Sequence, residues 1–279
     1  MLKWYGYLGL LMILLVQANF LVKLEPFAEW YIPIVWYGYI LFVDSLVHMI
    51  KGRSLISSRF SEFVFMCALS LPFWLIFEMY NIFTVSWIYM NYEWYVHLFD
   101  FTTIMPAVLE TFMLFRALGI GEGMDVTKEL RKRAARGFVH MTAMGSLIAI
   151  GTVAVLVPLI IPILGFPFMW FGLFLLLDPL SYVSGRPSLI HKFGIGQRSI
   201  LLQLFCAGIV MGFFWEFWNF MAIPKWVYNL PMYAVPGIKL FEMPLLGYLG
   251  YLPFAAETFL FYSFFRSFVF KSSNDLLAI

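Results

Sequence analysis

Six carboxylic acids recur as matched pairs along a chain that is otherwise sparsely charged: Asp44 with Asp178, Glu78 with Glu216, and Glu110 with Glu257. The surroundings repeat as well. Phe77-Glu78-Met79-Tyr80-Asn81 reads like Trp215-Glu216-Phe217-Trp218-Asn219, and Pro106-x-x-x-Glu110-Thr111-Phe112 reads like Pro253-x-x-x-Glu257-Thr258-Phe259. A carboxyl group enclosed by aromatic side chains can serve as a general acid or base. At the centre of a bilayer an ionised one costs about 2.5–3.5 kcal/mol or more, so these groups must be hydrogen-bonded, partly protonated or turned toward a polar cavity. No Lys or Arg is expected inside a helix to neutralise them. Glu216 and Asn219 are three residues apart and share a helix face, as do Glu78 and Asn81. The amide is expected to donate to the carboxylate and hold its rotamer. The candidate catalytic residues are therefore Glu216, Glu257, Glu78, Glu110, Asn219 and Asn81. Asp44 and Asp178 each precede a Gly-Arg loop and are read as anchors for a loop amide or for the Arg.

The elements that must position these acids are membrane helices. Of the 279 residues 62% are hydrophobic and 12% charged, where soluble domains carry about 25% charged residues. A bilayer core needs about 20 apolar residues per helix. Eight segments qualify: 5–22, 31–50, 61–80, 98–118, 137–164, 166–183, 199–221 and 244–268. The fifth and sixth are expected to meet in a turn at Gly165-Phe166-Pro167, after Pro158 and Pro162. The first segment is read as a retained span, not a signal peptide. With both termini cytoplasmic in a cell (inner) membrane, only Lys23, Lys225 and Lys239 of the 18 basic residues fall outside, as the positive-inside rule requires. Glu78 and Glu216 then lie near the outer ends of their helices, and Glu110 and Glu257 near mid-bilayer. The run WIYMNYEWY, residues 87–95, is expected to form an outer aromatic belt.

The matched features occur in the same order twice. Trp36-Tyr37-Gly38 with Gly52-Arg53 is echoed by Trp170-Phe171-Gly172 with Gly185-Arg186, and Trp87-Ile88-Tyr89 by Trp226-Val227-Tyr228. The expected fold is an all-α polytopic membrane protein of eight transmembrane helices, built from two parallel-oriented four-helix repeats. The first repeat is 1–118, the cytoplasmic connector 119–136 and the second repeat 137–279. An even number of spans per unit gives both copies one orientation and a pseudo-twofold axis along the membrane normal. Trp215, Trp218, Trp226, Tyr228, Trp87 and Tyr89 are the candidate substrate-contacting residues, since aromatic faces around an acid can stabilise a cation.

Other classes find little support. A net charge of +2 gives no reason to expect a nucleic-acid partner. Cys67 and Cys206 lie in apolar segments as buried hydrophobes, and the 4 histidines show no zinc or di-iron spacing, so no metal is expected. There is no phosphate loop, dinucleotide fold or Ser/Cys nucleophile. His48 and His140 share the cytoplasmic side and can in principle ligate a tetrapyrrole. The basic residues from Lys128 to Arg136 can touch anionic lipid headgroups.

An acid in an aromatic helix, then Trp-x-aromatic in the outer loop, then a helix with Pro and Glu resembles the lycopene cyclase domain proteins of carotenoid synthesis, heterodimeric or fused. It is similar also to the related carotenoid hydratases. That resemblance carries Glu216 onto the family's acid after Trp, Trp226 and Tyr228 onto its Trp-x-aromatic motif, and Glu257 onto the acid of its Pro-Glu helix. Glu78, Trp87, Tyr89 and Glu110 become the first-half copies. The implied chemistry needs no cofactor: one carboxylic acid protonates a polyene double bond, aromatic faces hold the carbocation, and a second carboxylate removes a proton or activates water. The partner would be a membrane lipid or polyene substrate. The alternatives are a non-enzymatic integral subunit among partner membrane subunits, or a carboxylate-based proton-coupled transporter.

Overall fold

Long apolar runs satisfy their backbone groups within bilayer-length helices, because lipid offers no other hydrogen-bond partner. The computed structural model describes residues 1–127, 129, 141–230 and 237–270. His140 and the basic residues Lys128, Arg131, Lys132, Arg133 and Arg136 lie outside the described residues. The helices are α1 (Trp4–Val22), α2 (Tyr31–Lys51), α3 (Leu55–Ser58), α4 (Phe60–Thr84), α5 (Trp94–Ala117), α6 (Met141–Ile160), α7 (Pro162–Met169), α8 (Gly172–Val183), α9 (Leu189–Gly194), α10 (Ser199–Met221) and α11 (Tyr251–Val269). Among the described residues 6 of these are long and apolar enough to cross a membrane, and 7 spans result if the α7–α8 pair, bent by 51°, is one broken span.

Two expected boundaries move. The chain breaks at Ile161 and again at Trp170–Phe171, while Gly165-Phe166-Pro167 stays helical within α7. Pro162 takes the first helical position, where its missing N–H costs nothing, so the turn falls before it. The last segment begins at Tyr251, because 244–250 forms a strand end and a 3-10 turn. Composition does not mark α11 as a span. Residues 254–263 of α11, like 103–113 of α5, are buried on every face, so this helix meets protein all round and needs no lipid-facing stripe.

The outer helices pack onto this centre through small residues. Gly9 of α1 and Gly38 of α2 each lie where a Cβ would strike the other's carbonyl oxygen, so only glycine permits this crossing. One buried ion cluster ties α4 to α11: Glu62 is paired with Arg59 and with Arg266, and the Arg266 residue is only 3% exposed. A helical Arg therefore does reach a buried acid, and that acid is Glu62, not one of the repeated pairs.

Two antiparallel strands close one end of the bundle, β1 (Trp87–Met90) and β2 (Lys225–Tyr228). Trp87 faces Tyr228, Ile88 faces Val227, and Tyr89 faces Trp226. Successive strand side chains point to opposite faces, so Trp87 is 4% exposed and Ile88 45%. The Trp-x-Tyr spacing thus turns both aromatics of each strand inward. Of the expected belt, Trp87 and Tyr89 thus face inward because a paired strand replaces the expected loop, while Trp94 and Tyr95 of the same run are 70% and 37% exposed. Two further short strands, β3 (Lys239–Leu240) and β4 (Met243–Pro244), pair beside them.

Asp44 and Asp178 anchor loops, as read. Asp44 accepts from Tyr5 Oη (2.7 Å), Ser54 Oγ (2.7 Å) and the Ile56 N–H (2.9 Å). Asp178 accepts from Ser188 Oγ (2.8 Å) and from the N–H groups of Leu189 (2.5 Å) and Ile190 (3.2 Å). Each carboxylate caps the first turn of the short helix that follows it, α3 or α9, where helix N–H groups lack internal partners.

Candidate functional site

Beneath the β1–β2 ribbon lies a cavity of about 50 Å³ walled by aromatic rings. Trp36, Trp74, Trp87, Trp170, Trp215 and Trp226 all line it. The rings interlock across the halves of the chain. Trp36 lies 6.0 Å from Trp215 and Trp170 lies 5.6 Å from Phe77, centroid to centroid. Ligand pockets commonly measure about 300–1,000 Å³. This chamber is too small for a whole polyene and has room for a chain end only.

Glu78 and Glu216 sit behind its wall, each joined to it through phenols or indoles. Glu78 Oε1 accepts from Tyr89 Oη (2.5 Å), Trp74 Nε1 (2.7 Å) and Trp87 Nε1 (3.3 Å). Glu216 Oε1 accepts from Tyr228 Oη (2.5 Å) and Tyr251 Oη (2.6 Å), while its Oε2 is buried without a partner. Burial first, and next the adjacent carboxylate, push the phenols of Tyr89 and Tyr228 well above the usual tyrosine range. Each therefore remains a proton donor.

The two carboxyl sites differ in where the extra aromatic donor comes from. Trp74 of α4 serves Glu78; Gly212 stands at the matching place before Glu216 in α10. A Cβ on Gly212 would enter the Tyr251 ring, so the absent side chain makes room for Tyr251 to approach from α11.

Asn81 and Asn219 do not donate to the carboxylates. Asn81 Nδ2 donates to the Trp87 carbonyl (2.9 Å) and its Oδ1 accepts from the Trp87 N–H (3.1 Å). Asn219 clamps Trp226 in the same way, at 2.9 Å for both bonds. The returning strand presents a buried donor and acceptor that must be matched, and the amide matches both, whereas the carboxylates take phenols. These asparagines position the ribbon and are not placed to do chemistry.

Glu110 and Glu257 do not line the cavity. Glu257 Oε1 accepts from the Phe174 N–H (3.2 Å), a donor exposed because the helix restarts at α8. Over the corresponding stretch α2 runs unbroken, so no free amide awaits Glu110. Both Glu110 oxygens are buried without a partner. Trp218 also misses the cavity; it packs behind it against Trp36, with centroids 4.5 Å apart. The other expected aromatics, Trp215, Trp226, Tyr228, Trp87 and Tyr89, do line it.

Sequence reasoning missed Tyr251, Trp74 and a polar corner formed by Tyr92, His97 and Asp100, all of which line the cavity. His97 and Asp100 are three apart at the start of α5. That spacing was the one available signal, since it puts both on one helix face. His48, by contrast, is bonded through Nδ1 to Ser57 Oγ at 2.9 Å. No protein-family model, curated protein or solved structure matches the chain. The chemistry of the cavity itself therefore carries the functional reading.

Proposed function

We propose that this is an integral membrane enzyme that does acid–base chemistry, cyclisation or hydration, at the end of an isoprenoid or carotenoid chain. In this reading the chain has eight spans in two like-oriented repeats, 1–118 and 137–279, with both termini cytoplasmic in the cell (inner) membrane. The cavity lies in the outer half. The pairing of Ile88 with Val227, equivalent residues of the two halves, supports a twofold relation, because such an axis through an antiparallel ribbon must pair one residue with its own copy. The resemblance to lycopene cyclase domain proteins and carotenoid hydratases points the same way.

The observation that carries the proposal is a carboxyl–tyrosine pair from each half, Glu78–Tyr89 and Glu216–Tyr228, meeting one tryptophan-walled cavity. For the reaction the Glu216–Tyr228 hydrogen bond reverses, so that the protonated carboxyl donates to the phenol oxygen; the freed phenol proton passes to one carbon of a terminal double bond as the carboxyl proton replaces it. The other carbon becomes a cation within the indole faces, which favour positive charge. Loss of a proton to a carboxylate, or addition of water with release of one, completes the reaction. Glu216 and Glu78 are the acid–base residues, and the tryptophans hold the chain end. Expression in a carotenoid-producing bacterial host, with pigment chromatography, tests this. Wild type should convert a pigment, and Glu216→Gln should abolish the conversion at equal protein level. Unchanged profiles for wild type across several polyenes would sink it.

A second reading, a carboxylate-based proton-coupled transporter, is favoured by Glu110, a wholly buried acid with neither oxygen partnered. Intramembrane acids of this kind mark ion pathways. Proton uptake by proteoliposomes that disappears in Glu110→Gln, without pigment conversion, would select it.

A further inference from the structure

Asp100, near the start of α5, is 8% exposed, lines the aromatic cavity, and has an unpartnered Oδ1. The Tyr92 hydroxyl and His97 Nδ1 are likewise buried without partners, and both residues line the same cavity. The His97 ring is gripped between Tyr89 and Tyr92, with centroids 4.1 Å and 4.3 Å away, the second pair stacked. Its nitrogens are therefore held in place. The Tyr92 phenol lies close enough to the Asp100 carboxyl to interact with it, though outside good hydrogen-bond geometry. Burial pushes that phenol well above the usual tyrosine range, so it remains a donor.

A fixed donor, a carboxyl acceptor and an imidazole that can act either way face one small space. A hydroxyl group is the ligand that matches this set, since its oxygen both accepts and donates. A hydrocarbon would leave these groups only the poorly aligned contact between Tyr92 and Asp100, and a ketone, which cannot donate, would leave the Asp100 acceptor unmatched. The corner is one-sided. Aligning Pro106 with Pro253 puts Pro244 and Gly247 where the first half has His97 and Asp100. About 50 Å³ of cavity accommodates a hydroxyl and about one carbon beside it, a water in the liquid taking about 30 Å³.

We propose that Tyr92, His97 and Asp100 form a hydroxyl-binding subsite that takes the alcohol end of an isoprenoid chain, with the tryptophans enclosing the adjacent carbon. This rests on the reading of the cavity as an isoprenoid chain-end site, and it orients the chain: the oxygen lies toward α5, and the carbons lie toward Glu216 and Tyr251.

The test uses the full chain in phospholipid nanodiscs. Intrinsic fluorescence is the readout, since Trp36, Trp74, Trp87, Trp170, Trp215 and Trp226 line the cavity out of 10 tryptophans in all. Farnesol and farnesene, which share a carbon skeleton, are titrated per mole of lipid so that unequal partitioning cancels. Farnesol should saturate wild type at a concentration lower by about tenfold, equivalent to about 1.4 kcal/mol. In Asp100→Leu, and in Tyr92→Phe, which deletes a single oxygen outside the helices and guards against misfolding, the preference should fall to about threefold or less, with farnesene binding kept. Equal binding of the two ligands by wild type, or a preference that survives Asp100→Leu, overturns the subsite and leaves the chain-end reading standing. If neither ligand changes the fluorescence, the chain-end reading fails and the subsite fails with it.

Discussion

Replacing Asn219 by Ala should unlock the ribbon that roofs the cavity. The Asn219 side chain is 0% exposed and makes both of its bonds, at 2.9 Å each, to the backbone of Trp226. Water has no access to take over, so the variant leaves a buried N–H and a buried C=O unmatched, at about 1–3 kcal/mol apiece. The expected loss is roughly 2–5 kcal/mol, a fall in Tm on the order of 5–15 °C for a chain of this size. Asn81 makes the same two bonds at 2.9 and 3.1 Å but is half-buried. Solvent can replace part of what it offers, so Asn81→Ala should cost about half as much. Asn219→Asp keeps the acceptor and loses the donor and should fall between the two. Thermal unfolding of the detergent-solubilised protein, followed with a thiol-reactive dye, reads all three, because Cys67 and Cys206 are free and partly shielded. If Asn219→Ala melts within about 2 °C of wild type, or if Asn81→Ala costs as much, the clamp does not hold the roof.

Three further outcomes follow from the same contacts. Gly212→Leu should push the Tyr251 ring out of its place against α10, at about 1–3 kcal/mol for overpacking, and should disturb the Glu216 site while sparing Glu78; tryptophan emission and unfolding midpoints check this. Glu62→Leu strands Arg266, which is 3% exposed, and should cost about 3–5 kcal/mol, whereas Glu62→Leu with Arg266→Leu should recover much of it; a double-mutant cycle in unfolding decides. Tyr89, Tyr92 and Tyr228 have phenols raised by burial, so they ionise near pH 10 only in the unfolded chain. Their contribution to stability is complete below that pH and is lost as pH rises through the higher folded values; absorbance at phenolate wavelengths should show a tyrosine class that titrates only on unfolding.

How much of this was legible depended on how far along the chain each partner lies. Asp44 and Asp178 find their loop partners 10 to 12 residues ahead, close enough that a loop motif beside an acid suffices to read them, whereas Tyr5 reaches Asp44 across 39 residues and was not legible. The Asn–Trp clamps span only 6 or 7 residues yet were misread, because helical face spacing says nothing of a strand folding back over the helix end. Tyr251 meets Glu216 across 35 residues, Phe174 meets Glu257 across 83, and Arg266 meets Glu62 across 204. No local pattern reports such pairs. The unequal fates of Glu110 and Glu257 are the clearest case: their sequence surroundings match, and the difference is made by a helix break in another element.

By itself the sequence determined that this chain is made of long apolar helices fit to cross a membrane, and that the six repeated acids fall on them. Those properties follow from composition and from the lengths of the apolar runs, which are set residue by residue. Only the tertiary structure decided that the Glu78 and Glu216 sites back onto one small cavity, that Glu110 and Glu257 do not, and that Tyr92, His97 and Asp100 complete its wall. Those outcomes depend on which helices touch and where one of them breaks, so they arise from packing between distant segments, for which no residue type or spacing is a sufficient cause.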